Sequence, residues 1–285
     1  MGERMGARKR EPREGTRSAR HRRYRGAMSH ADAFDGFAID LDGVVWLAGA
    51  PIPGSADAVA ELRRAGHPVV FVTNDPGRTR AQTAALLEEV GIEATADDVV
   101  TSSAAVAEAI SSELSGAAVY VIGPDALGEE LEAAGLEVVD ATHRPVDAVV
   151  VGGHSGFDYD ELRAATTAVR AGAPLWATGR DATYPTPEGL VPGTCALVAA
   201  VETAAERRAR VAGKPEPPMF EAAKRRLGGD RMAMVGDTLD ADIAGGQGAG
   251  LSTILVLSGR TSQEDLERAT IQPDLVLPDL AALCS

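Results

Sequence analysis

The chain has 285 residues, of which 45% are hydrophobic and 25% are charged, and its formal net charge is -14. This balance is typical of globular proteins and excludes a fibrous or wholly disordered chain. No apolar run approaches the roughly 18 residues that a membrane-spanning helix needs, so we expect no membrane association. The two cysteines, Cys195 and Cys284, are too few for a disulfide framework or a zinc site, and they favour a reducing, cytoplasmic compartment.

The charge is distributed unevenly along the chain. Residues 1–28 contain ten Arg or Lys and three Glu, a charge of +7 that leaves -21 for residues 29–285. We predict a disordered basic tail over 1–28, because the segment lacks apolar periodicity. A dispensable tail, an organelle transit peptide and a nucleic-acid arm all stay open, and translation from Met28 would remove the segment altogether. The acidic remainder would repel a phosphate backbone, so we expect no nucleic-acid partner.

From residue 36 onward, short β-rich apolar runs alternate with helical patterns, which predicts an α/β fold with a mostly parallel sheet. The predicted strands are Phe37–Ile39, Pro68–Val72, Val119–Ile122, Leu136–Val139, Ala148–Val151, Pro174–Ala177, Met232–Val235 and Thr253–Leu257. The predicted helices span residues 55–65, 79–90, 102–114, 126–134, 158–171, 194–208, 218–227 and 239–247.

Polar side chains follow three of these strands at the point where each strand ends. Asp40 follows the first strand, Thr73 and Asn74 follow the second, and Asp237 follows the strand at 232–235. Open α/β sheets bind ligands at the carboxyl ends of their strands, so we expect these groups to meet in one site.

Asp40 and Asp42 stand two residues apart and are followed by Gly43, which permits a tight turn. Two carboxylates this close repel each other unless a cation or a proton lies between them, so a hard divalent ion is their natural partner. A calcium-binding EF-hand loop is excluded because its twelfth position would be Pro51. The alternative, that both residues only cap a turn, stays open at this point.

Asp237 is the best candidate for a third metal-binding carboxylate, because it lies closest to its strand end, with Asp242 about one helical turn further on. Three acids with water suit Mg²⁺, which prefers octahedral oxygen ligands. Thr73 and Asn74 precede a helix and offer hydrogen bonds to anionic oxygens. Lys214, before a proline-rich helix start, would neutralise charge on a transferred phosphoryl group. An ordinary turn and a solvated lysine are the alternatives for these two segments.

Together these groups indicate phosphoryl transfer through an aspartyl intermediate. One Asp must stay ionised as the nucleophile, and its neighbour must carry a proton to the leaving group and later take one from water.

The order of these motifs resembles that of the haloacid dehalogenase superfamily over about residues 34–285. The motifs are Asp40-Leu41-Asp42-Gly43, Thr73-Asn74, Gly213-Lys214-Pro215 and Asp237 with Asp242. A closer similarity is to its NagD-like, or 4-nitrophenylphosphatase, subfamily, which includes phosphoglycolate phosphatases. The segments that carry it are Asp40–Trp46, Thr101-Ser102-Ser103, Tyr184–Gly193 and Gly213–Pro215. The resemblance implies a Rossmann-like core with an inserted α/β cap of the C2 type.

The resemblance also implies a role for each motif residue. Asp40 would be the nucleophile and Asp42 the general acid and base. Mg²⁺ would contact Asp40, Asp237 and the backbone carbonyl of Asp42. Phosphate would be bound by Thr73, Asn74 and Lys214, while Asp242 would support the metal site or orient the lysine.

The implied core comprises residues 29–101 and 206–285, and the implied cap comprises residues 102–205. Substrate choice is expected on cap loops. The candidate specificity residues are Arg180, Asp181 and Tyr184: Arg180 would meet a second anion on the substrate, and Tyr184 would stack or donate a hydrogen bond. The alternative is an ordinary loop with internal ion pairs.

We therefore expect a cytoplasmic, Mg²⁺-dependent phosphatase that hydrolyses a small phosphorylated metabolite. Two alternatives stay open: phosphoryl transfer to an acceptor other than water, which shares every motif, and a non-catalytic phospho-binding or regulatory module. Receiver-like regulatory modules are shorter and lack both Asp42 and a cap, which disfavours the second. Dimers through the cap are common in this family, so a homodimer is also open.

Overall fold

The computed structural model describes residues 29–140, 145–186 and 189–285. The predicted basic tail, residues 1–28 with Met28, lies outside the described residues. Within the described ranges, no helix combines the length and the apolar character that crossing a membrane requires.

In this part of the chain the strands are β1 (Gly36–Asp40), β2 (Trp46–Leu47), β3 (Ala50–Pro51), β4 (Val69–Thr73), β5 (Val99–Thr101), β6 (Ala118–Ile122), β7 (Glu137–Val138), β8 (Ala148–Val151), β9 (Leu175–Ala177), β10 (Thr183–Thr186), β11 (Gly189–Pro192), β12 (Arg210–Val211), β13 (Met232–Gly236), β14 (Ser252–Val256) and β15 (Leu275–Leu277). The α-helices are α1 (Ser55–Arg64), α2 (Arg80–Glu89), α3 (Ser102–Glu113), α4 (Asp125–Ala133), α5 (Tyr159–Arg170), α6 (Thr194–Ala205), α7 (Pro217–Leu227), α8 (Gly245–Gly248) and α9 (Gln263–Arg268). A π-helical turn, Leu239–Ala244, leads into α8, and short 3-10 turns span His30–Ala33, Ala96–Asp98 and Ala281–Cys284.

Side chains at the first residues fix where several helices begin. Thr79 accepts a hydrogen bond from the Gln82 N–H before α2, and Thr101 accepts one from the Ala104 N–H before α3. Asp158 does the same for two N–H groups at the start of α5. Each cap satisfies a donor that the first helical turn leaves without a backbone partner, so these polar residues determine the helix boundaries.

The larger sheet has six parallel strands in the order β15-β14-β13-β1-β4-β5. Its central strands β1 and β4 are buried along their whole length, as expected where helices cover both faces of a parallel sheet. Phe37 and Ile39 belong to the apolar cluster on one face, and Ala38 belongs to the cluster on the other. Strand β1 lies between β13 and β4, so the three polar strand ends are adjacent.

The second sheet is formed by chain that lies between β5 and β13, with the strand order β12-β9-β8-β6-β7, and it is also parallel. One apolar cluster joins the two sheets, since it contains Val70 and Met234 of the larger sheet together with Val119 and Trp176 of the second. The expected parallel α/β core with an α/β insertion is confirmed.

The division into core and cap at residues 102 and 205 stays a prediction. Helix α3 contacts both α4 and α7, and β12, beyond residue 205, pairs with β9 of the second sheet.

The predicted elements occur within a few residues of their expected bounds. The predicted helix over 194–208 is wrong at its end: α6 stops at Ala205, because Glu206 takes a left-handed conformation with φ of 55°. Strands β5 and β15 and the β10–β11 hairpin were not predicted. They are short, and in β11 all four residues are exposed, so they lack a long buried apolar run.

Candidate active site

The polar ends of β13, β1 and β4 form the centre of the site. Asp40 is the last residue of β1, Thr73 is the last residue of β4, and Asp237 follows β13 directly. All three residues are buried. Because β1 pairs in parallel with both β13 and β4, the carboxyl ends of the three strands lie at one edge of the sheet, and these groups meet there as predicted.

Three carboxylates converge at this edge. Asp40, Asp237 and Asp242 each offer one oxygen, and these oxygens lie within 4.8 Å of one another. The Asp242 side chain reaches the cluster from the π-helical turn, where the N–H groups of Asp242 and Ile243 both donate to the Thr238 carbonyl. Three buried carboxylates repel one another, so the arrangement needs positive charge.

Lys214 supplies positive charge to this cluster. Its Nζ lies 2.7 Å from Asp40 Oδ1 and 2.7 Å from Asp242 Oδ1, and the side chain is buried. Burial acts to lower the pKa of the Lys214 ammonium, but the charges of Asp242 and Asp40 outweigh it and raise that pKa. Burial raises the pKa of Asp40 well above its ordinary value, against the opposing charge of Lys214. One lysine carries a single positive charge and does not neutralise three carboxylates, so the cluster would attract a further cation.

Two glycines leave the space around Asp237 open. A Cβ at Gly43 or at Gly259 would overlap Asp237 Oδ2, and Gly43 also has a φ of 81°, in the left-handed region. Asp237 Oδ2 accepts a hydrogen bond of 2.6 Å from the Arg260 N–H, and Oδ1 accepts one of 3.0 Å from the Thr238 hydroxyl. Backbone and glycines together fix the direction of this carboxylate.

Asn74 joins the end of β4 to the segment that carries Lys214. Its Nδ2 donates to the Lys214 carbonyl at 3.0 Å, and its Oδ1 accepts from the Lys214 N–H at 2.8 Å. Thr73 Oγ1 accepts from the Asp75 N–H at 3.1 Å, which leaves its own proton to donate. The side chain of Asn74 therefore positions the lysine, and whether it also contacts phosphate stays a prediction.

Asp42 is exposed and does not join the carboxylate cluster through its side chain. Its Oδ1 accepts a hydrogen bond of 3.2 Å from Trp46 Nε1. Partial burial, followed by the charge of Asp75, raises the pKa of Asp42 above its ordinary value. A carboxyl group with a raised pKa and an open face suits proton transfer better than metal binding.

The three candidate specificity residues have different surroundings. Arg180 forms an ion pair with the buried Glu202, with Nη2 2.5 Å from Oε1. This contact matches the alternative given above, in which Arg180 pairs within the protein instead of binding an anion of the substrate. The Tyr184 hydroxyl shares a short hydrogen bond with Thr194 Oγ1, and burial raises the pKa of Tyr184. Asp181 is half-buried, and its Oδ2 has no hydrogen-bond partner among the described residues.

Sequence reasoning assigned no role to several residues that support the site, although Ser102 and Ser103 belong to a segment that carries the family resemblance. Ser102 Oγ donates to the Asn74 carbonyl at 2.8 Å, and Ser103 Oγ donates to the Pro76 carbonyl at 3.2 Å, so the start of α3 holds the loop after β4. Glu202 was missed because its partner Arg180 is 22 residues away and no local pattern marks the pair. Arg260 was missed because its N–H, which any residue except proline offers, makes the contact to Asp237.

Comparison with known proteins shows the family of this chain. A family model described as haloacid dehalogenase-like hydrolase matches residues 37–137, and one described as HAD-hydrolase-like matches residues 211–283. The acid sugar phosphatase of Staphylococcus saprophyticus is 36% identical over 249 residues, which cover 87% of this chain and 95% of that protein. The chain belongs to the haloacid dehalogenase-like hydrolases. The resemblance seen in its sequence motifs is confirmed.

Other relatives of this hydrolase are also phosphatases. The D-glycerol 3-phosphate phosphatase of Mycobacterium tuberculosis is 40% identical over 239 residues, which cover 83% of this chain and 67% of that protein. A crystal structure of the glycerol phosphate phosphatase from the same organism, in complex with magnesium, superposes with a TM-score of 0.84 at 38% identity. The match covers 91% of this chain and 79% of that one.

The p-nitrophenyl phosphatase from Archaeoglobus fulgidus superposes on this hydrolase with a TM-score of 0.83 at 33% identity, covering 88% of this chain and 98% of that one. The enzyme class expected from the sequence, a phosphatase of this superfamily, is therefore confirmed.

Proposed function

We propose that this hydrolase is a Mg²⁺-dependent phosphomonoesterase that passes the phosphoryl group of a small metabolite first to Asp40 and then to water. The observation that carries the proposal is the contact of 2.7 Å between Lys214 Nζ and Asp40 Oδ1, inside a cluster of three buried carboxylates. A buried carboxylate beside a lysine, at the carboxyl end of a central parallel strand, is suited to attack a phosphorus atom whose oxygens the lysine holds.

Asp40 is the proposed nucleophile. In the described part of the chain, both hydrogen bonds to its carboxylate fall on Oδ1, from the Leu41 N–H at 2.8 Å and from Lys214 Nζ. We assign the attack to Oδ2. A bond forms between this oxygen and phosphorus as the ester oxygen leaves, and hydrolysis then breaks the bond between phosphorus and the aspartyl oxygen.

Asp42 is the proposed acid and base. It is exposed, and its raised pKa keeps a larger protonated fraction than an ordinary aspartic acid would have. Asp42 donates its proton to the departing ester oxygen in the first step. In the second step, the ionised Asp42 takes a proton from the attacking water, which restores the starting state.

Lys214 and Thr73 are the proposed phosphate ligands from side chains. The ammonium stays charged throughout the ordinary pH range because its pKa is raised, and it balances the charge of the phosphoryl oxygens. Asn74 contributes by holding the lysine backbone, and Asp242 contributes by binding Nζ.

The donor set fits Mg²⁺. Asp40 and Asp237 offer carboxylate oxygens in a cluster without histidine or cysteine, which is the ligand type that a hard cation prefers. Burial is the first cause of the raised pKa values of both groups, and the charge of the neighbouring Asp242 raises them further. The backbone carbonyl of Asp42 would complete the protein ligands, and Asp242 would act through Lys214. When bound, the ion would neutralise phosphoryl oxygen charge.

The names of the relatives support a substrate class. Acid sugar phosphatase and D-glycerol 3-phosphate phosphatase are named for phosphate esters of polyhydroxy compounds. We infer that this hydrolase also acts on a small sugar or polyol phosphate.

The test is phosphate release from a panel of sugar, polyol, nucleoside and aryl phosphates, with wild type and Asp40→Asn measured side by side. We expect Asp40→Asn to abolish turnover while its thermal melting stays cooperative. The matched control is Asp240→Asn, since Asp240 is an exposed acid near the cluster and should tolerate the change. EDTA should remove the wild-type activity, and added Mg²⁺ should restore it.

Near-normal turnover by Asp40→Asn would refute the role of Asp40 as the nucleophile. Turnover that EDTA does not change would refute the requirement for Mg²⁺. Adding alcohols to the assay distinguishes hydrolysis from phosphoryl transfer to another acceptor. If a new phosphate ester forms and less free phosphate is released, the transfer reaction is favoured.

A further inference from the structure

A buried glutamate on α4, in the chain between β5 and β13, contacts the start of α2. Glu130 is 5% exposed, and its Oε1 accepts a hydrogen bond of 2.6 Å from the Arg80 N–H. Its Oε2 accepts a second hydrogen bond, of 2.9 Å, from Arg80 Nε. Arg80 is the first residue of α2, so the carboxylate lies at the positive end of the helix dipole and pairs a backbone donor that the first turn leaves free. Two contacts to one residue fix both the position and the direction of this helix start.

Helix α4 gives this contact a rigid support. Leu127 and Leu131 on α4 are completely buried, and they belong to the same apolar cluster as Val106 and Ile110 of α3. Glu130 precedes Leu131 directly, so packing of the leucine against the cluster also sets the place of the glutamate. Close packing of this kind transmits a displacement instead of absorbing it.

The loop over residues 74–79 joins the end of β4 to the start of α2, and it is held near both ends. Two serines at the start of α3 hold its first part through backbone carbonyls. Glu130 holds the residue that follows it, Arg80. The side chain of Asn74, at the beginning of the loop, makes the two hydrogen bonds to the Lys214 backbone. A displaced start of α2 would therefore pull on the group that places the lysine.

We propose that Glu130 is a positioning residue for phosphate binding: from α4 it fixes the start of α2, and through the loop it keeps Thr73, Asn74 and Lys214 in their binding arrangement. The inference rests on the proposed phosphatase function and deepens it. Because this arrangement faces the phosphoryl group that all substrates share, loss of Glu130 should weaken the binding of every phosphate ester, and of inorganic phosphate, by a similar factor.

The experiment measures the Kd of inorganic phosphate by calorimetry in the presence of Mg²⁺, together with kcat and KM for an aryl phosphate and a polyol phosphate. Glu130→Ala should raise the Kd of phosphate and both KM values by about tenfold, because it removes two hydrogen bonds to a charged group. A protein that is merely destabilised contains fewer active molecules. Its apparent kcat would fall, while the KM values and the Kd of phosphate would not change.

Conservative variants separate the two hydrogen bonds and guard against loss of the fold. Glu130→Gln keeps an acceptor for the Arg80 N–H and should recover part of the phosphate affinity. Arg80→Ala removes only the side-chain contact and should lie between wild type and Glu130→Ala. The double variant should match Glu130→Ala, because Arg80 acts through the glutamate. The matched control is Glu129→Ala, an exposed glutamate on the same helix, which should leave the Kd of phosphate unchanged.

The proposal is overturned if Arg80→Ala and both Glu130 variants lower the melting temperature but keep the wild-type Kd of phosphate and the wild-type KM values. A rise in KM for one of the two esters alone would also overturn it, since the contact would then act on the leaving group. If wild type with Mg²⁺ releases no phosphate from either ester, the proposed phosphatase function itself fails.

Discussion

Asn74 and Lys214, which are 140 residues apart in the chain, hold each other by two hydrogen bonds: Asn74 Nδ2 donates to the Lys214 carbonyl at 3.0 Å, and the Lys214 N–H donates to Asn74 Oδ1 at 2.8 Å. The pair fixes the lysine backbone relative to strand β4. With its backbone fixed in this way, Lys214 places its ammonium group between Asp40 and Asp242.

Replacement of Asn74 by Ala should therefore misplace Lys214. Each of the two hydrogen bonds contributes about 1 kcal/mol, so we expect kcat/KM to fall by about ten- to a hundredfold on every substrate alike. Steady-state kinetics on an aryl phosphate and a polyol phosphate measures this. Asn74→Asp keeps the acceptor for the Lys214 N–H and should lose less. A loss confined to one substrate would argue instead for direct contact between Asn74 and the leaving group.

Replacement of Asp42 by Asn should depend on the leaving group. General acid catalysis contributes about 10²- to 10⁴-fold where the departing oxygen needs a proton, and much less where it leaves readily as an anion. We expect kcat for glycerol phosphate to fall within that range and kcat for 4-nitrophenyl phosphate to fall by less, as long as formation of the aspartyl phosphate limits turnover. Rates that decline by the same factor on both esters would contradict the role of Asp42 as the acid in the first step.

Gly43 and Gly49 provide a matched pair of glycine substitutions. Both have a φ of 81°, but a Cβ at Gly43 would overlap Asp237 Oδ2, whereas among the described residues only the chain neighbours of Gly49 lie within 4 Å of a Cβ placed there. Gly49→Ala should cost only the backbone strain, about 1 kcal/mol. Gly43→Ala should cost more and should also weaken Mg²⁺ binding, because Asp237 must move. Urea unfolding and Mg²⁺ titration of both variants test this, and equal behaviour of the two would show that steric contact with Asp237 is unimportant.

The stability of the metal-free protein should depend on pH through its buried carboxylates. Burial raises the pKa of Asp40 and Asp237 above the ordinary value of 3.8. Between that pH and the raised values, the folded state binds more protons than the unfolded chain. The stability these groups contribute is therefore fully present below about pH 3.8 and is lost as the pH rises through the folded pKa values.

Mg²⁺ competes with protons for the same oxygens, so it should raise the melting temperature more at pH 7.5 than at pH 5. Calorimetry or dye-monitored melting with and without Mg²⁺ at both pH values measures this difference, and Asp237→Asn should reduce it. If Mg²⁺ raises the melting temperature by the same amount at both pH values, the ion binds at a site other than this carboxylate cluster.

The sequence alone was sufficient to locate the centre of the site. Asp40, Thr73 and Asp237 each follow an apolar strand, and parallel strands side by side must bring their carboxyl ends to one edge. The buried strands themselves were predictable because both faces of a parallel sheet require apolar residues over a continuous run. Strand β5, of three residues, and the β10–β11 hairpin, whose second strand is exposed along its length, gave no such signal, because neither contains a long buried apolar run.

Local pattern thus determined the fold class, the strand ends and the identity of the acidic motifs, since each depends on periodicity or on residues a few positions apart. Only the tertiary structure decided that Glu202 binds the Arg180 guanidinium and that Asn74 holds the Lys214 backbone. These are contacts between segments that fold together from distant parts of the chain. A charged side chain finds its partner through three-dimensional proximity, which residue spacing does not encode.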